Sequence, residues 1–215
     1  MERKYDLTPK SAWYLCHRIR EAMRRDLLAS LLSGTVISDQ TFIGGVPANR
    51  HANDPREKTR LRTDKTTVLA LVDTETREVR SRVILDVTAA TLSKAIAEQV
   101  DVPATDLWTD SAKPYITVGR GMRGHESVDH RAGEYVRKNA AGRHVTTNMA
   151  EGFFSQLKRS VDGTHHHVST VHLQRYLDQF DWLYSNCKLT DSARMRILVV
   201  RAGGRRLTYK PLTSR

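Results

Sequence analysis

The sequence predicts an α/β fold, a sheet flanked by helices, with a short helical segment at its N-terminus. Three observations carry this. Apolar residues recur at helical spacing through the first thirty positions, three β-rich stretches follow one another, and helical and strand patterns then alternate. The chain has 215 residues, enough for one large domain with a sizeable core. Apolar residues at 39% beside 27% charged describe a globular chain rather than a disordered one.

Thr8 is a good helix N-cap, and Pro9 sits in the first turn, where a missing N–H costs little. Ala12, Leu15, Cys16, Ile19 and Met23 predict the buried stripe, with Lys10, Ser11, Tyr14, His17 and Arg18 on the other faces. The segment runs on through Leu27-Leu28 and Leu31-Leu32 to a glycine stop at Ser33-Gly34. Residues 35–43 are β-rich and end at Gly44-Gly45; 46–65 are polar and predict a long loop. The apolar run 68–72 suits a strand buried on both faces. A turn over 73–76 and the alternating Val79, Ser81, Val83 and Leu85 complete a hairpin. Thr88 caps a helix whose apolar stripe is Ala89, Leu92, Ile96 and Val100. Short strands are predicted at 106–110 and 127–130, with a turn or helix starting at 111–115. Helices are predicted over 148–159, 171–186 and about 191–200. The second of these carries Leu173, Tyr176, Leu177, Phe180, Leu183 and Tyr184 on one side.

Lys plus Arg number 35 against 24 Asp plus Glu, a formal charge of +11 that points to a polyanion, most simply nucleic acid. No run approaches ~18 apolar residues, so neither a membrane span nor a membrane partner is expected. The first residues lack the apolar region of a signal peptide. Cys16 and Cys187 are too few for a disulfide framework or a four-thiolate zinc site. The cytoplasm is the expected location.

Asp39 in the first strand and Asp110 at the end of the fourth place two carboxylates on neighbouring strands. Hard divalent cations want such oxygen ligands, and a pair of ions roughly 3.5–4 Å apart serves phosphoryl transfer. Asn148, Glu151, Ser155 and Lys158 fall within about 80° of one another around a helix, so an amide, a carboxylate and an ammonium can look at one site. Lys158 would suit a phosphate. Spacing alone also leaves each an ordinary role: a strand end for Asp39, a helix cap for Asp110, a solvated face for Glu151 and Lys158. Arg56, Lys58, Arg60 and Arg62 in the long loop read as a clamp on a DNA backbone. In the run His165-His166-His167 a regular element cannot turn all three rings to one ion, and His166 is read as lying near phosphate. His125 and His130, on either side of a strand, are read as structural.

Asp39-Gln40-Thr41-Phe42-Ile43-Gly44-Gly45 resembles the first motif, D-E-T-Y-I-G-G, of bacterial insertion-sequence transposases of the ISXO-like branch. Trp108-Thr109-Asp110-Ser111-Ala112-Lys113-Pro114-Tyr115 is similar to their second, T-D-x-x-x-x-Y. Asn148-Met149-Ala150-Glu151, continuing through Phe154 to Lys158-Arg159, is similar to their third, and 163–177 resembles the segment that follows. Four motifs in order make the resemblance specific over roughly residues 35 to 190.

The resemblance implies an RNase H-like fold, a mixed sheet flanked by helices. It implies Mg²⁺- or Mn²⁺-dependent cleavage at element ends, with two ions, and strand transfer into target DNA. Asp39 and Asp110 would be the metal-binding carboxylates, Asn148 the third position and Lys158 the basic one. An Asn carbonyl is a neutral, weaker ligand, and Glu151, one turn further on, can supply the missing charge; both stay open. Arg159 would accompany Lys158 on the DNA. Gln40 and Phe42 depart from the motif's Glu and Tyr. Gln40 is expected to face away from the site, since neighbouring strand residues point to opposite faces. The head, 6–20, resembles the end of a helix-turn-helix, with Lys10, Ser11, Tyr14, His17 and Arg18 as DNA contacts; its alternative is a helix that packs on the catalytic domain. The family implies further sequence before it, commonly a zinc ribbon, and hence a truncated or late-starting frame. The implied division is 1–33 as the partial helix-turn-helix, 34–190 as the catalytic domain and 191–215 as a C-terminal helix and basic tail. Self-association on nucleoid DNA follows from the same resemblance. The rival functions are a remnant that binds DNA without joining it and a nonspecific RNase H-like nuclease.

Overall fold

A computed structural model describes residues 5–25, 29–44, 65–165, 168–209 and 212. Helix α1 (Pro9–Met23) leads into β1 (Leu32–Ile43), β2 (Thr66–Asp73) and β3 (Val79–Ile84), then α2 (Ala89–Ala97) and β4 (Val100–Asp110). Next come α3 (Lys113–Gly119), β5 (Gly124–Val128), a 3₁₀ turn (His130–Ala132) and a hairpin of β6 (Val136–Lys138) with β7 (His144–Thr146). Three helices close the chain: α4 (Asn148–Ser160), which runs into a π turn (Val161–His165), then α5 (Thr170–Ser185) and α6 (Asp191–Ala202).

The sheet has the order β3-β2-β1-β4-β5. Its first three strands are antiparallel, and β4 and β5 run parallel to β1. This is a mixed sheet, as the resemblance implies. Helices cover both faces. On one, Ile37, Val68, Ala70, Val72 and Trp108 pack with Phe153, Phe154 and Leu157 of α4 and Leu173 and Leu177 of α5. On the other, Val36, Leu69, Leu71 and Leu107 pack with Leu92 and Ile96 of α2 and Tyr115 of α3. Each fully buried side chain of this kind contributes about 1.5–3 kcal/mol. Residues 68–72 are all at most 1% exposed, as their unbroken apolar run requires.

Thr8 caps α1 by accepting from the Ser11 N–H, and Thr88 caps α2 by accepting from Thr91. Other expectations are corrected. The helical head stops at Met23, and Leu32 already belongs to β1. Gly34 is no helix stop: its φ of +82° lies where the β1–β4 register shifts, a bulge that only a residue free to adopt the left-handed region fits well. Val100 opens β4 rather than ending α2. The alternation expected of the third strand is absent, because Val79, Arg80 and Ser81 are all buried while Leu85 lies beyond the strand, 96% exposed.

The cause is α5, which lies along β3 and fills its outward hydrogen-bonding positions. Ser185 Oγ accepts from the Val79 N–H, and Asp181 accepts from the Ser81 N–H and hydroxyl. Gln174 accepts from the Val83 N–H through Oε1 and donates to the Ser81 carbonyl through Nε2. Positions 174, 181 and 185 share one helix face.

Helix α1 packs on α5 and α6 with a face that keeps Ala12 and Met23 of the expected stripe but is otherwise shifted from it. His17 and Arg20 are buried there, whereas Leu15 is exposed. Arg20 donates to Gln179 and lies over the Tyr176 ring. Arg205 donates to the Glu21 carbonyl at the C-terminus of α1, where a cation is favoured.

Asp106 fastens β4 to its neighbours, with Arg123 gripping it through two nitrogens at 2.9 Å and Arg143 donating at 3.0 Å. The hydrogen bond from Arg123, helped by Arg143, holds this carboxyl down to about 2. Its stabilisation is present above pH ~4 and is lost as pH falls through about 2. Asp106→Asn is expected to cost about 1 kcal/mol at pH 7, a figure reduced for the solvent-exposed arginines, and to flatten the acid limb of stability. Urea midpoints between pH 2 and 7 check this.

Candidate active site

The site is built where the sheet changes from antiparallel to parallel. Ile37 of β1 is level with Trp108 of β4, and two residues further along each strand stand Asp39 and Asp110. The pleat turns Asp39 to the same face as Ile37, the face that α4 covers. The Gln40 N–H donates to Asp39 Oδ1 at 2.7 Å, and the Ala112 N–H donates to Asp110 Oδ1 at 3.2 Å. Both carboxylates are half-buried.

Glu151 approaches from the first turn of α4, where the helix dipole favours an anion. Its Oε1 accepts from the Thr147 hydroxyl at 3.2 Å and lies 3.5 Å from His130 Nε2. Burial pushes the Asp39 carboxyl up to about 6, against the pull of the Gln40 N–H; the negative charges of Asp110 and Glu151 push the same way, and His130 opposes them. Four groups from β1, β4, the turn after β5 and α4 therefore share one electrostatic neighbourhood.

Asn148 is exposed at the start of α4, and its backbone N–H is held by Thr146 Oγ1. Lys158 and Arg159 are exposed two turns along the same helix. Of the two open candidates for the third position, Glu151 adds a charge near Asp39, whereas Asn148 can offer only a neutral carbonyl.

Gln40 points to the opposite face, as alternation requires. There its Oε1 accepts from the Tyr115 hydroxyl at 2.7 Å, and that hydroxyl accepts from Ser38 Oγ at 3.2 Å. Burial raises the Tyr115 phenol far above its ordinary value, so it remains a donor. The second motif's tyrosine thus braces β1 from beneath Asp39.

The head contributes less surface than expected. Lys10, Ser11 and Arg18 are exposed on α1. Tyr14 donates its hydroxyl to the Leu207 carbonyl. His17 is 0% exposed, its ring edge-on to Trp13 and Tyr176, and is no part of a surface that DNA could reach. Burial, with Arg20, His172 and Arg175 nearby, lowers it to about 4. Arg56, Lys58, Arg60, Arg62 and His166 lie outside the described residues. His130 was read in the sequence as structural, and Thr147 was not singled out. The usable signal was position: His130 follows the end of a strand parallel to the one that bears Asp110, and sites in open sheets gather at the carboxyl ends of parallel strands.

The donors are hard oxygens crowded by like charge, which suits a hard divalent cation. Among the described residues no three His, Cys, Asp or Glu side chains cage a single point. Mg²⁺ does not need such a cage, since it is usually held by one or two carboxylates with waters and substrate phosphates. A cleft of about 880 Å³ among the described residues opens elsewhere, at Arg25, Arg80, Arg82 and Glu98, and includes none of these carboxylates. No described helix is long and apolar enough to cross a membrane.

The ISXO2-like transposase domain family matches residues 31–185. No curated protein matches the chain. Among solved structures, the catalytic core domain of BIV integrase is similar at 15% identity and a TM-score of 0.43, over 74% of this chain and 87% of that one.

Proposed function

Since the chain belongs to the ISXO2-like transposase family, we infer that it performs metal-dependent cleavage at the ends of a mobile DNA element and joins those ends to target DNA. The observation that supports this reading is the placement of Asp39 and Asp110 two residues beyond the level pair Ile37 and Trp108 on neighbouring parallel strands, with Glu151 on the helix that packs on β1. Asp39 and Asp110 would hold the cation, Mg²⁺ or Mn²⁺ and in the active complex two ions, with Glu151 as the third acidic group in preference to Asn148. The cation, when bound, neutralises charge on the scissile phosphate and acidifies the attacking water.

The rest falls to the chain. Water attacks phosphorus, the bond to the 3′ oxygen breaks, and that oxygen leaves as a hydroxyl. The same hydroxyl then attacks a target phosphodiester in line: a new P–O bond forms, the target's own P–O3′ bond breaks, and the proton passes to the 3′ oxygen that leaves. Half-buried carboxylates on neighbouring strands keep their positions through both steps because the sheet fixes them, and Tyr115 with Gln40 holds β1 from behind. Lys158, exposed beyond Glu151 on α4, contacts the DNA backbone, with Arg159 beside it.

The test is incubation of the full chain with DNA carrying the element's ends, with Mg²⁺, Mn²⁺ or EDTA, followed by sequencing of nicks and joints. Metal-dependent nicks at the ends followed by joints are expected. Equal cutting of unrelated DNA would make the protein a nonspecific nuclease, and end protection without nicks would leave it a binder. Lys158→Ala is expected to weaken binding alike for all sequences and to flatten the plot of log affinity against log salt by about 0.9, the share of one phosphate contact. Binding isotherms at several salt concentrations measure this.

A further inference from the structure

His130 and Thr147 form a directed hydrogen-bond chain onto Glu151. Thr147 sits at the N-cap of α4 yet makes no cap hydrogen bond, and it is 1% exposed. Its hydroxyl donates to Glu151 Oε1 at 3.2 Å and lies 2.9 Å from His130 Nε2. A hydroxyl has one proton, and an ionised carboxylate can only accept. With that proton given to Glu151, Thr147 has only a lone pair to offer the imidazole, so His130 Nε2 must carry a hydrogen. The order is His130 Nε2–H to Thr147 Oγ1–H to Glu151 Oε1, and it is the same whether or not Nδ1 is protonated.

The two ends of this chain lie on different parts of the fold. His130 begins the turn after β5, in the sheet that carries Asp39 and Asp110, whereas Thr147 and Glu151 belong to the start of α4. Glu151 is itself 47% exposed, a glutamate with free rotamers unless something holds it. We propose that His130 and Thr147 are positioning residues that hold the Glu151 carboxylate toward the two strand aspartates and so complete the cation site. This rests on the reading of Asp39, Asp110 and Glu151 as that site. Partners of ligands commonly govern metal affinity in this way, and their removal typically costs about 10–100-fold.

The test is Mn²⁺ titration of the full chain without DNA, with free Mn²⁺ followed by electron paramagnetic resonance. Thr147→Val, which keeps the shape and loses the hydroxyl, and His130→Ala are each expected to weaken binding by about tenfold or more. Thr147→Ser and His130→Gln, which restore a hydroxyl and an N–H donor, are expected to stay within a few-fold of the wild type. Wild-type affinity in Thr147→Val, with Asp39→Asn still defective, would overturn the positioning roles and leave the site standing. A wild-type chain that binds no Mn²⁺, or an Asp39→Asn chain that binds as well as wild type, would overturn the site and this proposal with it. A measurement on the unaltered protein needs no variant to fold. Nitrogen-15 spectra of labelled histidine should show a hydrogen on His130 Nε2, and an Nδ1–H-only tautomer there would refute the chain of donors.

Discussion

Asp39→Asn and Asp110→Asn are each expected to abolish metal-dependent DNA cleavage, a loss of at least roughly 10³-fold, the scale at which deleting one preorganised electrostatic contact removes transition-state stabilisation. Asp39→Asn is also expected to make the metal-free protein more stable. Burial pushes Asp39 up to about 6, and Asp110 and Glu151 add to it, so the ionised form is disfavoured in the fold. A carboxyl whose folded pKa is raised contributes its stability below the unfolded value, ~3.8, and loses it as pH rises through about 6. Asparagine stands in for the protonated form. The gap in unfolding free energy between Asp39→Asn and wild type should therefore be near zero at pH 4 and open by pH 7 to roughly 1–2 kcal/mol. That is less than the ~3 kcal/mol full shift, because the amide accepts the Gln40 N–H less well. Saturating Mn²⁺ should close the gap by stabilising only the wild type. A dead variant that melts lower than wild type at pH 7 in EDTA would mean that the aspartates hold the fold together rather than the cation.

Asp181→Ala is expected to destabilise the protein by about 3–5 kcal/mol without reference to the active site. Asp181 accepts from the Ser81 N–H and hydroxyl, both at 2.6 Å, and its removal leaves two donors without a partner, at about 1–3 kcal/mol each. The space it vacates adds to the cost. Asp181→Asn keeps one acceptor oxygen and should lose about half as much. Burial raises this carboxyl well above the ordinary range, so its contribution too is greatest in acid and falls as pH rises, and the deficit of each variant against the wild type should narrow toward alkaline pH. Urea unfolding at pH 5 and pH 8 measures both effects. A loss under 1 kcal/mol for the alanine variant would show that solvent serves the strand as well as the helix does.

The parts of this molecule that were legible in the sequence are those whose signal is local. The apolar run at 68–72, the caps at Thr8 and Thr88, the helix at 148–159 and the strands that carry Asp39 and Asp110 all follow from residues within a few positions of each other. Alternation also sufficed to send Gln40 away from Asp39. The failures share a distant cause. His17 and Arg20 are buried because Tyr176, Gln179 and His172 meet them from more than 150 residues away, and no hydropathy stripe in α1 records that. The third strand lost its alternation because a polar face of α5 covers its edge, while the sequence advertised only the apolar one. β6 and β7 are three residues each, too short for any period to show. Glu151 was a candidate on helical spacing, but its tie to His130 required the sheet and the helix to be brought together first.

The fastening of α5 along β3 also bears on how copies of this chain can meet. A sheet rim with spare N–H and carbonyl groups is a template onto which a neighbour's backbone can zip. Here those valences are already spent on Ser185, Asp181 and Gln174 of the same molecule. Growth of a continuous intermolecular sheet from this side would first require peeling a sixteen-residue helix off the core. A complex assembled from several copies would thus have to join elsewhere than along this rim.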